Sequence, residues 1–289
     1  MTEAVLVSAV PRRVASRVAW RDVAAFSALA YGLTWAWWAP VVWPYLGEVT
    51  LNRPLPNVVE GGSIRVPPGM FGPLLAATIM WLVVSRDGLK ATLGFVRPWR
   101  YYVVAASAPA LFIAGVVLVD HVSGLGRFTG SRPLGLAVPT VIIVGGALGL
   151  PVTLGDESGW RGYLLPRLLP LGEIKATLIV GLIWAFWHVP ILLIGLNYPE
   201  QSLIRVLPVF GITVLLMAFP FTWLYVDSRA SVITVAVMHS LLNATRDTFT
   251  SPRYVGGNPL IVSAGGLIAA AILFVVVLVG GVLRYRSHA

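Results

Sequence analysis

Gly155-Asp156-Glu157-Ser158-Gly159-Trp160-Arg161-Gly162 brings two carboxylates and a guanidinium together within six residues, after a run from Pro133 to Thr153 that has no ionisable side chain. A run of that length and apolarity predicts a helix that crosses a bilayer, which takes about 20 mostly apolar residues. If the helix continues through the charged stretch, Glu157 and Arg161 fall at i and i+4, the order that favours an ion pair. Asp156 then points about 100° away from Glu157, so the two acids need not share a partner. Charge at the end of a membrane segment is costly and by default marks a functional site. The plainer alternative is that Glu157 and Arg161 only tie off a helix end.

The rest of the chain agrees with a membrane setting. Of 289 residues, 57% are hydrophobic and 11% are charged. Soluble domains carry roughly 25% charged residues, so the composition predicts an all-α polytopic membrane protein. There is no cysteine, which excludes thiol catalysis, disulfides and thiolate metal sites. The net charge of +9 is spread over the ends of apolar segments and is not gathered on a soluble domain. It therefore reads as membrane topology, and no nucleic-acid partner is expected. Ala4 to Val10 is short and its arginines follow it, so it does not read as a cleavable signal.

About eight transmembrane helices are expected. They run from about Val23 to Tyr45, Met70 to Val84, Tyr101 to Val119 (with Pro109 as a possible kink), Gly135 to Leu154, Ile174 to Leu196, Leu203 to Val226, Ala230 to Ala244 and Leu260 to Leu283. Arg12, Arg13, Arg17 and Arg21 precede the first helix, and Arg86, Lys90, Arg97 and Arg100 separate the second from the third. Arg161, Arg167 and Lys175 follow the fourth, and Arg284 and Arg286 follow the eighth. The alternate loops hold fewer: Arg53 and Arg65, then Arg127 and Arg132, then Arg205, then Arg246 and Arg253. By the positive-inside rule both termini face the cytoplasm, in a bacterial-type inner membrane. The division expected is a cytoplasmic segment 1–22, N-terminal helices 23–132, a core 133–245, and 246–289 with an outer loop, the last helix and a tail. Glu48 to Pro68 reads as a Pro- and Gly-rich outer loop, and the chain shows no internal repeat.

Two histidines fall inside predicted spans. His188 lies in Trp184-Ala185-Phe186-Trp187-His188-Val189-Pro190, with Trp184 one turn earlier on the same face. His239 lies in Met238-His239-Ser240-Leu241-Leu242-Asn243, so an imidazole and the Asn243 amide at i+4 face one point. In lipid such groups face a bundle interior or a wet cavity; the plainer reading is a satisfied core residue for each, or an interhelical hydrogen bond from His239 and Asn243. The tryptophans of the first helix read as an interfacial belt and packing, and Gly145 with Gly149 as a close helix–helix step.

Together the three clusters resemble the CPBP intramembrane proteases, the CAAX prenyl endopeptidase type II and bacteriocin-processing family. The family pattern is Glu-Glu-x-x-x-Arg, then an aromatic-x-x-x-His, then His-x-x-x-Asn or Asp. Here it reads Asp156-Glu157-x-x-x-Arg161, Trp184-x-x-x-His188 and His239-x-x-x-Asn243, over roughly Gly135 to Asn243. The resemblance implies an endopeptidase site within helices 4, 5 and 7, acting on a peptide or membrane-protein substrate in or near the lipid bilayer. It implies that Asp156 and His188 hold and deprotonate a water, and that His239 and Asn243 stabilise the oxyanion. Glu157 and Arg161 would shape the site, with Trp160 and Trp184 supporting it. A general base, a polarising imidazole and an amide donor are what acyl hydrolysis requires. The chain departs from the pattern at Asp156, one methylene shorter than the family's glutamate. In consequence the helix sits closer, or Glu157 is the base, or the protein is a lapsed protease acting as a scaffold or immunity factor.

No cofactor is expected. The metal alternative is zinc held by His188, His239 and Glu157, an adequate ligand set, although there is no His-Glu-x-x-His. A rhomboid-type serine site and an aspartyl Gly-x-Gly-Asp site both lack their signatures. A transporter would show matching broken halves, and none are found.

Overall fold

The computed structural model describes residues 17–54, 66–84, 98–128, 137–250 and 255–288. Arg12, Arg13, Arg65, Arg86, Lys90, Arg97, Arg132 and Arg253 of the topology count lie outside them, as does most of segment 1–22. The described chain is helical: α1 Trp20–Val42, α2 Gly72–Ile79, α3 Trp99–Ser123, α4 Ala137–Gly159, α5 Glu173–Trp187, α6 Leu203–Asp227, α7 Val232–Phe249 and α8 Leu267–His288. A two-residue antiparallel ladder, β1 Arg127–Phe128 with β2 Val255–Gly256, links two connecting segments.

Among the described residues, five helical segments are long and apolar enough to cross a membrane: Pro67–Val84, Trp99–Ser123, Val138–Leu171, Leu203–Asp227 and Pro259–Arg284. The fold is thus an all-α polytopic membrane fold. The helices outside that set are α1, α5 and α7, each for a reason written in its sequence. α1 carries four of the chain's tryptophans, Trp20, Trp35, Trp37 and Trp38, with Trp43 just beyond; α5 stops at residue 187; and α7 carries His239, Ser240, Asn243 and Thr245 on 18 residues. Two of these three hold the histidines.

The fourth helix does not end where the apolar run ends. α4 continues to Gly159, and a π-turn Trp160–Leu164, a short helix Leu165–Leu168 and a 3-10 turn Leu169–Leu171 carry it on. Asp156, Glu157 and Arg161 thus lie in the interior of the 34-residue segment Val138–Leu171, not at its end. The physical reason is that Glu157 and Arg161 neutralise each other along the helix, so the backbone has no need to break to release them. π-turns of this kind are frequent at functional sites.

Glycines set the close approaches of α4. A Cβ at Gly159 would lie 2.7 Å from the Pro73 carbonyl oxygen, and one at Gly155 would lie 2.8 Å from the Phe71 ring, so α2 and the turn before it press on the acidic stretch from one side. On another side, a Cβ at Gly149 would lie 2.7 Å from Ser240 Oγ. Ser240 Oγ donates to the Gly146 carbonyl at 2.6 Å, and Thr153 Oγ1 donates to the Ala236 carbonyl at 3.0 Å. The Gly145–Gly149 step is therefore a seam on which α7 lies antiparallel to α4. At the far ends of α5, α6 and α8, Arg284 chelates Asp227 at 2.8 and 2.9 Å and reaches Glu173 at 3.1 Å.

The α1 tryptophans divide in use. Trp20, Trp37 and Trp43 are exposed, as a belt requires, but Trp38 is fully buried and its Nε1 donates to the Val66 carbonyl at 2.9 Å.

Candidate active site

The helical hairpin formed by α4 with its extension and α5 turns at Gly172, whose φ of 88° lies in the left-handed region. Glycine has no Cβ to clash there. Asp156 and His188 each stand sixteen residues from that glycine.

Asp156 is completely buried. Its Oδ1 accepts from the Trp160 indole Nε1 at 2.7 Å, a contact one helical turn long. Oδ2 has no hydrogen-bond partner among the described residues and lies 3.6 Å from His239 Nδ1. Glu157, also completely buried, accepts from Arg161 Nη1 at 3.1 Å and from His239 Nδ1 at 2.8 Å, both on Oε1. Arg161 Cζ lies 4.6 Å from the Trp184 ring centroid and 4.7 Å from that of Phe221. Two aromatic faces thus take up the part of the guanidinium that Glu157 does not, since Nε and Nη2 find no acceptor among the described residues.

His239 is buried and walled by the same two rings, with centroids 5.6 Å from Trp184 and 5.4 Å from Phe221. A carboxylate only accepts, so Nδ1 carries the proton and Nε2 is the atom left to face elsewhere. Asn243 lies one turn further along α7 and is partly exposed.

His188 is built by a helix break. Pro190 has no N–H to donate and disfavours continuation of the helix before it. α5 ends at Trp187, and the His188 backbone N–H bonds to the Ala185 carbonyl at 3.2 Å, one residue short of the α-helical partner. This releases the Trp184 carbonyl, and the His188 side chain takes it through Nδ1 at 2.7 Å. Because a carbonyl accepts, Nδ1 is protonated and Nε2 presents a lone pair. The next freed carbonyl, that of Trp187, accepts from Trp35 Nε1 at 3.0 Å, so α1 covers the break. His188 is thus at a helix junction, not well inside a span as the hydropathy suggests.

Trp184 and Trp187 join the two halves of the site. The Trp187 ring lies 4.7 Å from His188 and 5.8 Å from Trp160, which holds Asp156. The Trp184 ring lies 5.7 Å from His188 and 5.6 Å from His239. Asp156, Glu157, Arg161, Trp160, Trp184 and His239 form one buried cluster, and His188 is coupled to it through the indoles.

Among the described residues, those close enough to share a metal ion are Asp156, Glu157 and His239, with ligand atoms within 4.8 Å of one another. This is not the set His188, His239 and Glu157 expected for zinc. It fits a metal poorly, because His239 Nδ1 is a proton donor to Glu157 and Glu157 is already neutralised by Arg161. Phe221 and Trp187 were not legible as site residues. In an apolar helix an aromatic side chain carries no signal of its own, and only their ring contacts reveal the role.

Comparison with known proteins places the similarity on this same region. Residues 134–245 match the family model of the type II CAAX prenyl endopeptidase Rce1-like proteins. A curated protein described as CAAX prenyl protease 2, from Methanococcus maripaludis, is 25% identical over 193 residues, covering 62% of this chain and 70% of that protein.

Proposed function

We propose, from the premise that the chain belongs through residues 134–245 to the type II CAAX prenyl endopeptidase (CPBP) family of intramembrane proteases, that it hydrolyses a peptide bond of a membrane-associated or membrane-proximal substrate. The observation that carries this reading is the state of Asp156. One oxygen is fixed by Trp160, and the other is buried 3.6 Å from His239 Nδ1 with no hydrogen-bond partner among the described residues. An acceptor so prepared is suited to orient a water, with His188 Nε2 as the second acceptor that takes its proton. His239 Nε2 and the Asn243 amide then donate to the oxyanion of the tetrahedral intermediate. For His239 to do so its ring must be an imidazolium, and Glu157 and Asp156 supply the compensating charge. Glu157 and Arg161 are positioning residues in this scheme, since they act through His239. We read the membrane arrangement as eight crossings with both termini cytoplasmic, α1, α5 and α7 completing the five apolar segments, and the core as 133–245.

The test is cleavage of a quenched peptide library in detergent by the wild type, Asp156→Ala, Asp156→Glu, Glu157→Ala and His188→Ala. Cleavage that disappears in both Asp156→Ala and His188→Ala supports the scheme. Cleavage that survives Asp156→Ala but not Glu157→Ala transfers the base role to Glu157. If only Asp156→Glu cleaves, the natural chain is a lapsed protease whose role is in binding.

A further inference from the structure

Asp156 and His188 share no hydrogen bond among the described residues; the carboxylate is held by Trp160 and the imidazole by the Trp184 carbonyl. If both act on one water, something else must fix their separation. α1 bears on both sides. Tyr31 Oη donates to the Ile183 carbonyl at 2.6 Å and Trp35 Nε1 to the Trp187 carbonyl at 3.0 Å. Both pairs are 152 residues apart, so α1 and α5 run parallel with one rung per helical turn. The two rungs are not equivalent. The Ile183 carbonyl lies inside α5, where the helix supplies its own donor. The Trp187 carbonyl has no such donor, because Pro190 carries no N–H and the Ile191 N–H goes to the His188 carbonyl at 3.1 Å. Trp187 is 1% exposed, so without Trp35 this acceptor would be buried and unmet. A neighbouring stripe of α1 holds the 3-10 turn Pro67–Phe71 that leads into α2. Thr34 Oγ1 donates to the Gly69 carbonyl at 3.0 Å, and Trp38 Nε1 to the Val66 carbonyl at its start. Phe71 of that turn and Pro73 of α2 are the groups that press on Gly155 and Gly159, beside Asp156. The Trp38 ring also lies 4.8 Å from that of Trp187. One helix therefore braces the support of the acidic stretch and the residue before His188.

We propose that α1 belongs to the catalytic unit, with Trp35 a positioning residue that fixes His188 relative to Asp156 by occupying the Trp187 carbonyl. Trp35 acts through the peptide unit that joins Trp187 to His188. That unit is planar, so a turn of its carbonyl also turns the N–H and Cα of His188 and swings the imidazole. The Trp35 ring is 37% exposed, so its packing is the lesser part of its role and its N–H the specific one. Residues 134–245 hold both acids and both histidines of the site but not α1, so a helix outside that match completes the arrangement. The inference rests on the protease reading for the meaning of kcat, but not for the coupling of Trp35 to His188.

The experiment takes the full chain in detergent and compares Trp35→Phe, Tyr31→Phe and Trp43→Phe with the wild type. Trp35→Phe keeps an aromatic ring and removes the donor to the Trp187 carbonyl. Tyr31→Phe removes a donor from a carbonyl that α5 already satisfies. Trp43, 74% exposed, is the control. Two quantities are read: kcat and KM on a peptide that the wild type cleaves, and NMR of the imidazole nitrogens in histidine-labelled protein. The His188 signals are assigned by their loss in His188→Gln. Trp35→Phe is expected to lower kcat about tenfold with KM little changed, and to shift or split the His188 signals. Tyr31→Phe and Trp43→Phe are expected to move neither. Unchanged His188 signals in Trp35→Phe overturn the proposal. Equal losses of kcat in Tyr31→Phe and Trp35→Phe also overturn it, since α1 would then be a general support. His188 signals that answer to Trp35→Phe alone, in a protein that cleaves nothing, keep the coupling and remove the protease reading; cleavage indifferent to Trp35→Phe does the reverse.

Discussion

His239 Nδ1 donates to Glu157 Oε1 at 2.8 Å, and the same oxygen accepts from Arg161 Nη1 at 3.1 Å. One carboxylate oxygen therefore fixes an imidazole on α7 and a guanidinium on the α4 extension, far apart in sequence. Removing that carboxylate leaves a buried cation without a counter-charge, a loss of about 3–5 kcal/mol in comparable cases. Glu157→Ala is expected to lower the melting temperature in detergent and to abolish cleavage. Glu157→Gln with Arg161→Met is expected to recover most of the stability without recovering activity. Recovery of both would mean that the pair has no part in positioning His239.

Trp160→Phe removes the indole donor from Asp156 Oδ1 and keeps the edge-on contact with Phe26, whose centroid is 5.6 Å away. The carboxylate is then free to turn. The expected result is a fall of about tenfold or more in kcat with KM little changed, because a misplacement of about 1 Å is costly in rate. An unchanged kcat would show that the indole serves packing alone.

Pro190→Ala allows α5 to continue through His188. The backbone N–H of His188 then competes with its own ring for the Trp184 carbonyl, which the ring now takes at 2.7 Å. Helix propensity favours the substitution, so the melting temperature is expected to hold or rise while kcat falls. An NMR measurement of the imidazole nitrogens would read a mixture of tautomers in place of Nδ1–H.

Gly159→Ala places a methyl 2.7 Å from the Pro73 carbonyl oxygen, which is backbone and cannot turn aside. A loss of about 1–3 kcal/mol is expected, seen as a lower melting temperature. Gly211→Ala, where a Cβ meets nothing within 4 Å, serves as the control.

Chelation is expected to leave cleavage unchanged, since a metal on Asp156, Glu157 and His239 would have to displace the Nδ1–H bond to Glu157. Inhibition by a chelator that is reversed by added zinc, with metal found in the purified protein, would reverse this expectation.

The helices and the three polar clusters were legible because a charge or imidazole within an apolar run has so few bland explanations. Gly145 and Gly149 likewise announced a helix seam. The continuation of α4 past Leu154 was hinted at by the i,i+4 spacing of Glu157 and Arg161, but its extent to Leu171 was not legible, because apolarity marks where lipid is met and says nothing of charges that cancel within the bundle. The break at His188 was written in Pro190, but hydropathy averages over a proline. Phe221 and Trp187 could not be distinguished from lipid-facing aromatics, as their part in the site depends on which way their helices turn. The pairing of His239 with Glu157 depends on side chains leaning toward each other along antiparallel helices, a relation no single helix displays.

The sixteen-residue spacing on either side of Gly172 also bears on how this chain can change in length. One residue added to or deleted from an α-helical part of a single arm would carry one of the two proposed site residues about 1.5 Å along its helix and about 100° around it, whereas a matched change in both arms would carry the two together. The π-turn at Trp160–Leu164 is where one arm already departs from α-helical winding. Between Asp156 and His188, substitutions are therefore far easier to tolerate than unpaired insertions or deletions.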